Sequence, residues 1–92
     1  SPQGDLDEFC TIVGDVMGND EKKKKDIAIG KAVSMNMKTD EVKELMKSLI
    51  DTPAKKRYKK LLKGAKKLGV EGYKCKAAKK YFKWQRKNDK KK

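Results

Sequence analysis

The chain has 92 residues, 36% apolar and 42% charged, with a formal net charge of +13. That is one domain near the size at which a single core becomes marginal, with apolar material for a thin core but not for a deep, dry substrate pocket beside it. The absence of histidine removes Ser/His/Asp and Cys/His nucleophile arrangements. With two cysteines and no CxxC pair it removes a structural zinc site as well, and no glycine-rich phosphate loop is present.

Apolar periodicity predicts five helices and no strand, an all-α bundle over residues 1–87 followed by a basic tail, 88–92. The first helix is expected over 6–17, with Asp5 as N-cap and Gly18 past its end; Leu6, Phe9, Cys10, Val13 and Met17 share its inner stripe. The second should run from Glu21 to Met35, capped by Asn19 or Asp20, with Ile27, Ile29, Ala32, Val33 and Met35 as its apolar set. It opens on Lys22 to Lys25, where the helix dipole disfavours cations. The third, 40–51, has Val42, Leu45, Met46, Leu49 and Ile50 at i, i+3, i+4, i+7, i+8. Thr52-Pro53 then reads as a cap followed by proline at the first helical position, opening a fourth helix that reaches Leu68 and stops at Gly69. The fifth, 73–87, carries Tyr73, Cys75, Ala77, Ala78, Tyr81, Phe82 and Trp84 on one broad side. The methionines, 17, 35, 37 and 46, read as core filler.

Charge is divided along the chain. Residues 1–52 hold 8 Lys against 11 Asp and Glu, a net of −3. Residues 53–92 hold 18 Lys and Arg against Glu71 and Asp89, a net of +16. On the fourth helix Ala54, Tyr58, Leu61, Leu62, Ala65 and Leu68 occupy an arc of about 120°. Lys55, Lys56, Arg57, Lys59, Lys60, Lys63, Lys66 and Lys67 take the remainder, and Lys79, Lys80, Lys83 and Arg86 form a second cationic wall on the fifth helix. A solvated face that keeps the protein soluble would mix the two signs. A face of one sign, held against repulsion at i, i+4, points to an anionic partner.

Residues 54–61 fit the loose XBBBXXBX pattern of heparin-type sites, one that lysine-rich helices match by chance. Lysine outnumbers arginine 24 to 2, against reading of bases by arginine forks but compatible with diffuse phosphate or sulfate contact. Tyr73, Tyr81, Phe82 and Trp84 could stack bases, yet their helical spacing favours the core. The carboxylate groups Asp7/Glu8 and Asp40/Glu41/Glu44 have sufficient roles at helix starts and on polar faces. The expectation is a binding protein, not an enzyme, with no cofactor, no small-molecule substrate and no membrane span.

Cys10 and Cys75 can pair within the chain in one way only. A bridge would close a loop of about 66 residues, worth roughly 4 kcal/mol by loop entropy. Two buried thiols in a cytosolic or nuclear protein are the alternative; a small, charge-rich domain favours the staple, tying first helix to last.

The cysteine pair near the two ends of a helical chain resembles the secretoglobin arrangement, in which cysteines link two subunits; the +16 C-terminal part and the fifth helix depart from it. Chain size, the single Cys10/Cys75 pair and the lysine-dense stretch from Lys55 to Lys92 also resemble the small basic salivary proteins of blood-feeding flies, of the sand fly anti-complement type. That resemblance implies a secreted inhibitor of a host cascade such as classical-pathway complement, and it assigns no residue a role. The partner would be an acidic surface of a host factor. The alternatives are a nucleic-acid or other sulfated or phosphated polyanion binder inside or outside the cell, and a secretoglobin-like dimeric carrier.

Overall fold

Five helices make up most of the residues that the computed structural model describes, 1–21 and 24–89: α1 Pro2–Met17, α2 Lys25–Asn36, α3 Asp40–Ile50, α4 Ala54–Lys67 and α5 Lys76–Asp89. There is no strand among the described residues. The all-α reading holds, and the differences lie at helix ends.

α1 starts earlier than predicted. Ser1 Oγ accepts from the Gly4 amide at 3.1 Å, and Pro2 sits in the first turn, where a missing N–H costs nothing. Asp5, expected as the cap, is therefore inside the helix and only 5% exposed. Its Oδ2 accepts from Lys38 N at 2.9 Å and from Thr39 N and Thr39 Oγ1, both at 2.7 Å. Asp5 thus pins the start of α3, 34 residues away, rather than the start of its own helix.

α2 begins at Lys25, later than expected; Lys22 and Lys23 of the expected opening run lie outside the described residues. Asn19 caps nothing helical and instead accepts from Glu21 N within the turn. Lys25 Nζ donates to Val16 O and Asn19 O, so its charge meets the carbonyl end of α1 and not only the amide end of α2. Thr52 closes α3 rather than opening α4, its hydroxyl donating to Ser48 O at 2.7 Å, and α4 starts one residue after Pro53. α4 ends in a Schellman turn: Val70 N donates to Ala65 O, Gly69 N donates to Lys66 O, and Gly69 takes φ +84°, where a Cβ would be strained. A second positive-φ glycine, Gly72 at +68°, delays α5, leaving Tyr73 and Cys75 ahead of it. α5 then runs past Lys87 to Asp89, beyond the expected boundary with the tail; Lys90–Lys92 lie outside the described residues.

α1 is the central element, packed by all four others. Leu6 and Val13 on its inner face are fully buried, together with Val42, Leu61, Ala65 and Ala78 from α3, α4 and α5. The Cys10–Cys75 disulfide, Cα to Cα 5.8 Å, joins α1 to the start of α5. Tyr73 Oη donates to Leu6 O, and Cys75 N donates to Tyr58 Oη, so the loop before α5 is tied to α1 and α4. The radius of gyration, 12.4 Å, matches the roughly 12 Å of a compact chain this long. No helix among the described residues is long and apolar enough to cross a membrane.

Three residues expected inside are outside: Ile27 is 65% exposed, Met35 and Ile50 75%. The apolar residues of α2 wrap around the helix, and α2 rests mainly on α1, so only Ile29 is fully turned in. Ile50 stands at the end of α3, on the lip of a gap between α2 and α3. Of the methionines, Met37 is buried, Met17 and Met46 half-buried.

Candidate functional site

The amphipathic pattern of α4 places its cations. Leu61 and Ala65 are buried and Tyr58 half-buried, which leaves Lys55, Lys56, Lys59, Lys60, Lys63, Lys66 and Lys67 exposed around the outer side. On α5, burial of Ala78, Tyr81 and Phe82 exposes Lys79, Lys80, Lys83 and Arg86. The two helices pack side by side and the walls meet at their junction, where Lys79 Nζ lies 5.9 Å from the centre of the Tyr58 ring.

Within the first wall the structure makes a groove. At Gly64 the backbone of α4 closes on α3: a Cβ there would stand 2.8 Å from Leu45 Cδ2 and collide with the other leucine methyl. Lys56, Lys59, Lys60, Lys63 and Lys67 line one side of the resulting groove, and Leu45 and Ser48 of α3, with Thr52 just past its end, line the other; its volume is about 710 Å³. Four of them, Lys56, Lys60, Lys63 and Lys67, recur at i, i+4, i+7 and i+11, so the row is about 16 Å long. Both hydroxyls donate to carbonyls of α3, Ser48 Oγ to Leu45 O and Thr52 Oγ1 to Ser48 O, each at 2.7 Å. Their oxygen lone pairs are left to accept.

Arg57 does not belong to the face. It is half-buried, and its guanidinium closes the carbonyl end of α3: Nε donates to Leu49 O at 2.7 Å and Thr52 O at 2.8 Å, Nη2 to Ile50 O, and Nη1 to Gln85 Oε1 at 2.7 Å. The physical reason is that α3 ends without glycine, so its last carbonyls need an external donor. The heparin-type stretch 54–61 is consequently broken in space, and the groove row takes its place.

The cations of the walls are otherwise uncompensated. An ion pair, Lys47–Glu44 at 3.8 Å, lies on the outside of α3 and involves neither wall. No lysine of either wall, nor Arg86, makes a hydrogen bond or salt bridge among the described residues.

A second concavity, which the thin core gave no reason to expect, lies between α2 and α3 and encloses about 290 Å³ over Phe9, Val33, Met46 and Phe82. Polar groups close one end. Asp26 Oδ1 accepts from Tyr81 Oη and from Gln85 Nε2, the latter at 2.8 Å, and Gln85 Oε1 accepts from Arg57. Burial, then the bond to Asp26, pushes the Tyr81 hydroxyl far above its ordinary pKa. This network joins α2, α4 and α5. Sequence reading missed it, because Asp26 and Gln85 are 59 residues apart with no local signal. The aromatic residues serve the interior as expected: the Tyr81 ring lies 5.6 Å from Phe82 and 6.2 Å from Trp84, and both Tyr81 and Phe82 are buried.

Both cysteines are consumed within one chain, whereas the secretoglobin arrangement uses them between subunits. No protein-family model matches the chain, and neither a curated protein nor a solved structure was found similar to it.

Proposed function

We propose that the chain is a secreted, non-enzymatic binding protein that inhibits a host defence cascade by docking the cationic face of α4 and α5 on an acidic surface of a host factor. The cascade is the classical pathway of complement, as the salivary-protein resemblance implies. The observation that carries the reading is the uncompensated face itself, eleven cations on two adjoining helices with no counter-charge bound among the described residues. Like charges so placed cost stability and speed encounter with an anionic partner. The intrachain disulfide fits an oxidising, extracellular setting.

The test is complement deposition from serum on an antibody-coated surface. Wild type should inhibit, and so should a control in which Lys31, Lys38, Lys43 and Lys47 are changed to Glu. The variant Lys56→Glu, Lys60→Glu, Lys63→Glu, Lys67→Glu should need at least about tenfold more protein. Equal inhibition by that variant, or none by wild type, rejects the reading.

A further inference from the structure

We infer that the groove between α3 and α4 takes a sulfated polysaccharide chain, which would hold the protein on glycan-coated surfaces outside the cell. The inference rests on the reading of the basic face as the working surface, and it assigns one part of that face a ligand of its own. Three features of the groove select the ligand class.

The charge is a row, not a point. Lys56, Lys60, Lys63 and Lys67 follow the helix axis with Lys59 beside them, none hydrogen-bonded or ion-paired among the described residues. A linear polyanion can meet such a row along its length, and the groove of about 710 Å³ is open enough to admit a chain from the side. Ammonium groups act as point charges that tolerate irregular anion spacing, as along a sulfated glycan.

Opposite the lysines, the polar groups beside Leu45 are two hydroxyls. Ser48 and Thr52 spend their hydroxyl protons on α3 carbonyls, so what they offer the groove is lone pairs. Sugar hydroxyls between the sulfate groups supply donors that can meet these lone pairs. A phosphodiester backbone supplies few or none.

The groove lacks what nucleic acid would use. No aromatic ring lines it, so bases have no platform. Of the two arginines, Arg57 is committed to the carbonyls of α3 and Arg86 is out on α5, so no guanidinium fork faces the groove. Gly64 keeps its wall low: any side chain there would run into Leu45.

The experiment is isothermal titration, at physiological salt and at half and twice that concentration, with a heparin-derived dodecasaccharide, the same oligosaccharide desulfated, and single-stranded DNA of similar charge. The proteins are wild type, Lys56→Ala/Lys60→Ala/Lys63→Ala/Lys67→Ala, and a control losing the same charge, Lys31→Ala/Lys38→Ala/Lys43→Ala/Lys47→Ala. Circular dichroism melts confirm folding, since every substituted lysine is exposed. Wild type and control should bind the sulfated oligosaccharide alike. The groove variant should lose at least about tenfold and show a flatter dependence on salt, because fewer counterions are released. Binding by the groove variant within twofold of wild type overturns the proposal. Equal binding of desulfated sugar, or tighter binding of DNA, overturns it too. Inhibition of the cascade measured in purified, glycan-free components separates the two readings. Loss of glycan binding with inhibition intact sustains the groove and rejects the face as the inhibitory surface; the converse rejects the groove alone.

Discussion

Asp5 and Arg57 are charged residues whose sequence positions mislead about their work. Asp5 is a buried carboxylate with three donors on one oxygen. Burial alone would raise its pKa, but the hydrogen bonds from Thr39 N, Thr39 Oγ1 and Lys38 N outweigh it and hold the group below the usual carboxylate range. A depressed pKa in the folded state adds stability that is present above the unfolded value of about 4 and is lost as pH falls toward the folded one. Urea denaturation at pH 7 and at pH 3 should therefore show wild type losing more stability on acidification than Asp5→Asn, which itself should be about 2 kcal/mol less stable at pH 7. Equal acid sensitivity of the two would show that Asp5 is not the group that titrates. Arg57→Ala should cost about 2 kcal/mol by leaving the last carbonyls of α3 without a donor, and Arg57→Lys should not restore it, because an ammonium cannot span four acceptors in a plane. Neither variant should alter partner binding beyond the loss of one charge. Nothing at the positions of Asp5 or Arg57 announces these roles, since both depend on the end of another helix arriving beside them.

At the scale of elements, helix existence was legible and helix ends were not. The stripes of α1, α3 and α4 are strong because one side of each must meet the core, and Leu6, Val13, Val42, Leu61 and Ala65 are buried as that pattern requires. Start signals failed where two could serve: Ser1-Pro2 competed with Asp5, and Thr52 was recruited by the helix behind it rather than the helix ahead. α2 carried little information, since apolar residues all around it cannot say which side rests on α1, and Ile27 and Met35 end exposed. The cysteine pairing could be anticipated because both residues lie on inward-facing stretches, and the bridge closes a long loop. Changing Cys10 and Cys75 together to Ser should lower stability by about 4 kcal/mol in urea titration, a large share of what a domain of this size has. A loss below about 1 kcal/mol would mean that the unfolded chain is already as restricted without the bridge.

Over the whole molecule, the separation of charge in sequence becomes a separation in space. α4 and α5 pack on each other and on α1, and both expose their cations on the sides turned away from the core. The face was readable from the wheel of α4; the groove was not, because it needs α3 beside Gly64, and nothing in the spacing of either helix states which neighbour arrives there. Tyr73 and Tyr81 bound the fold from the alkaline side. Burial first, reinforced by Asp7 for Tyr73 and by Asp26 for Tyr81, raises both hydroxyls well above 10. A phenol held protonated by folding stabilises below its unfolded pKa of about 10 and loses that contribution as pH rises beyond it. Absorbance at 295 nm should accordingly include a late, steep rise coincident with the loss of helical circular dichroism, and smooth titration of all the tyrosines before any unfolding would contradict this. The central claim, that the cationic face is the working surface, is tested most directly by the rate at which the immobilised host factor captures the protein as salt is raised from 50 to 300 mM. Association of wild type should slow steeply, whereas with Lys56, Lys60, Lys63 and Lys67 changed to Glu it should be slower at the outset and nearly independent of salt. Equal rates and equal salt dependence for the two proteins would contradict it.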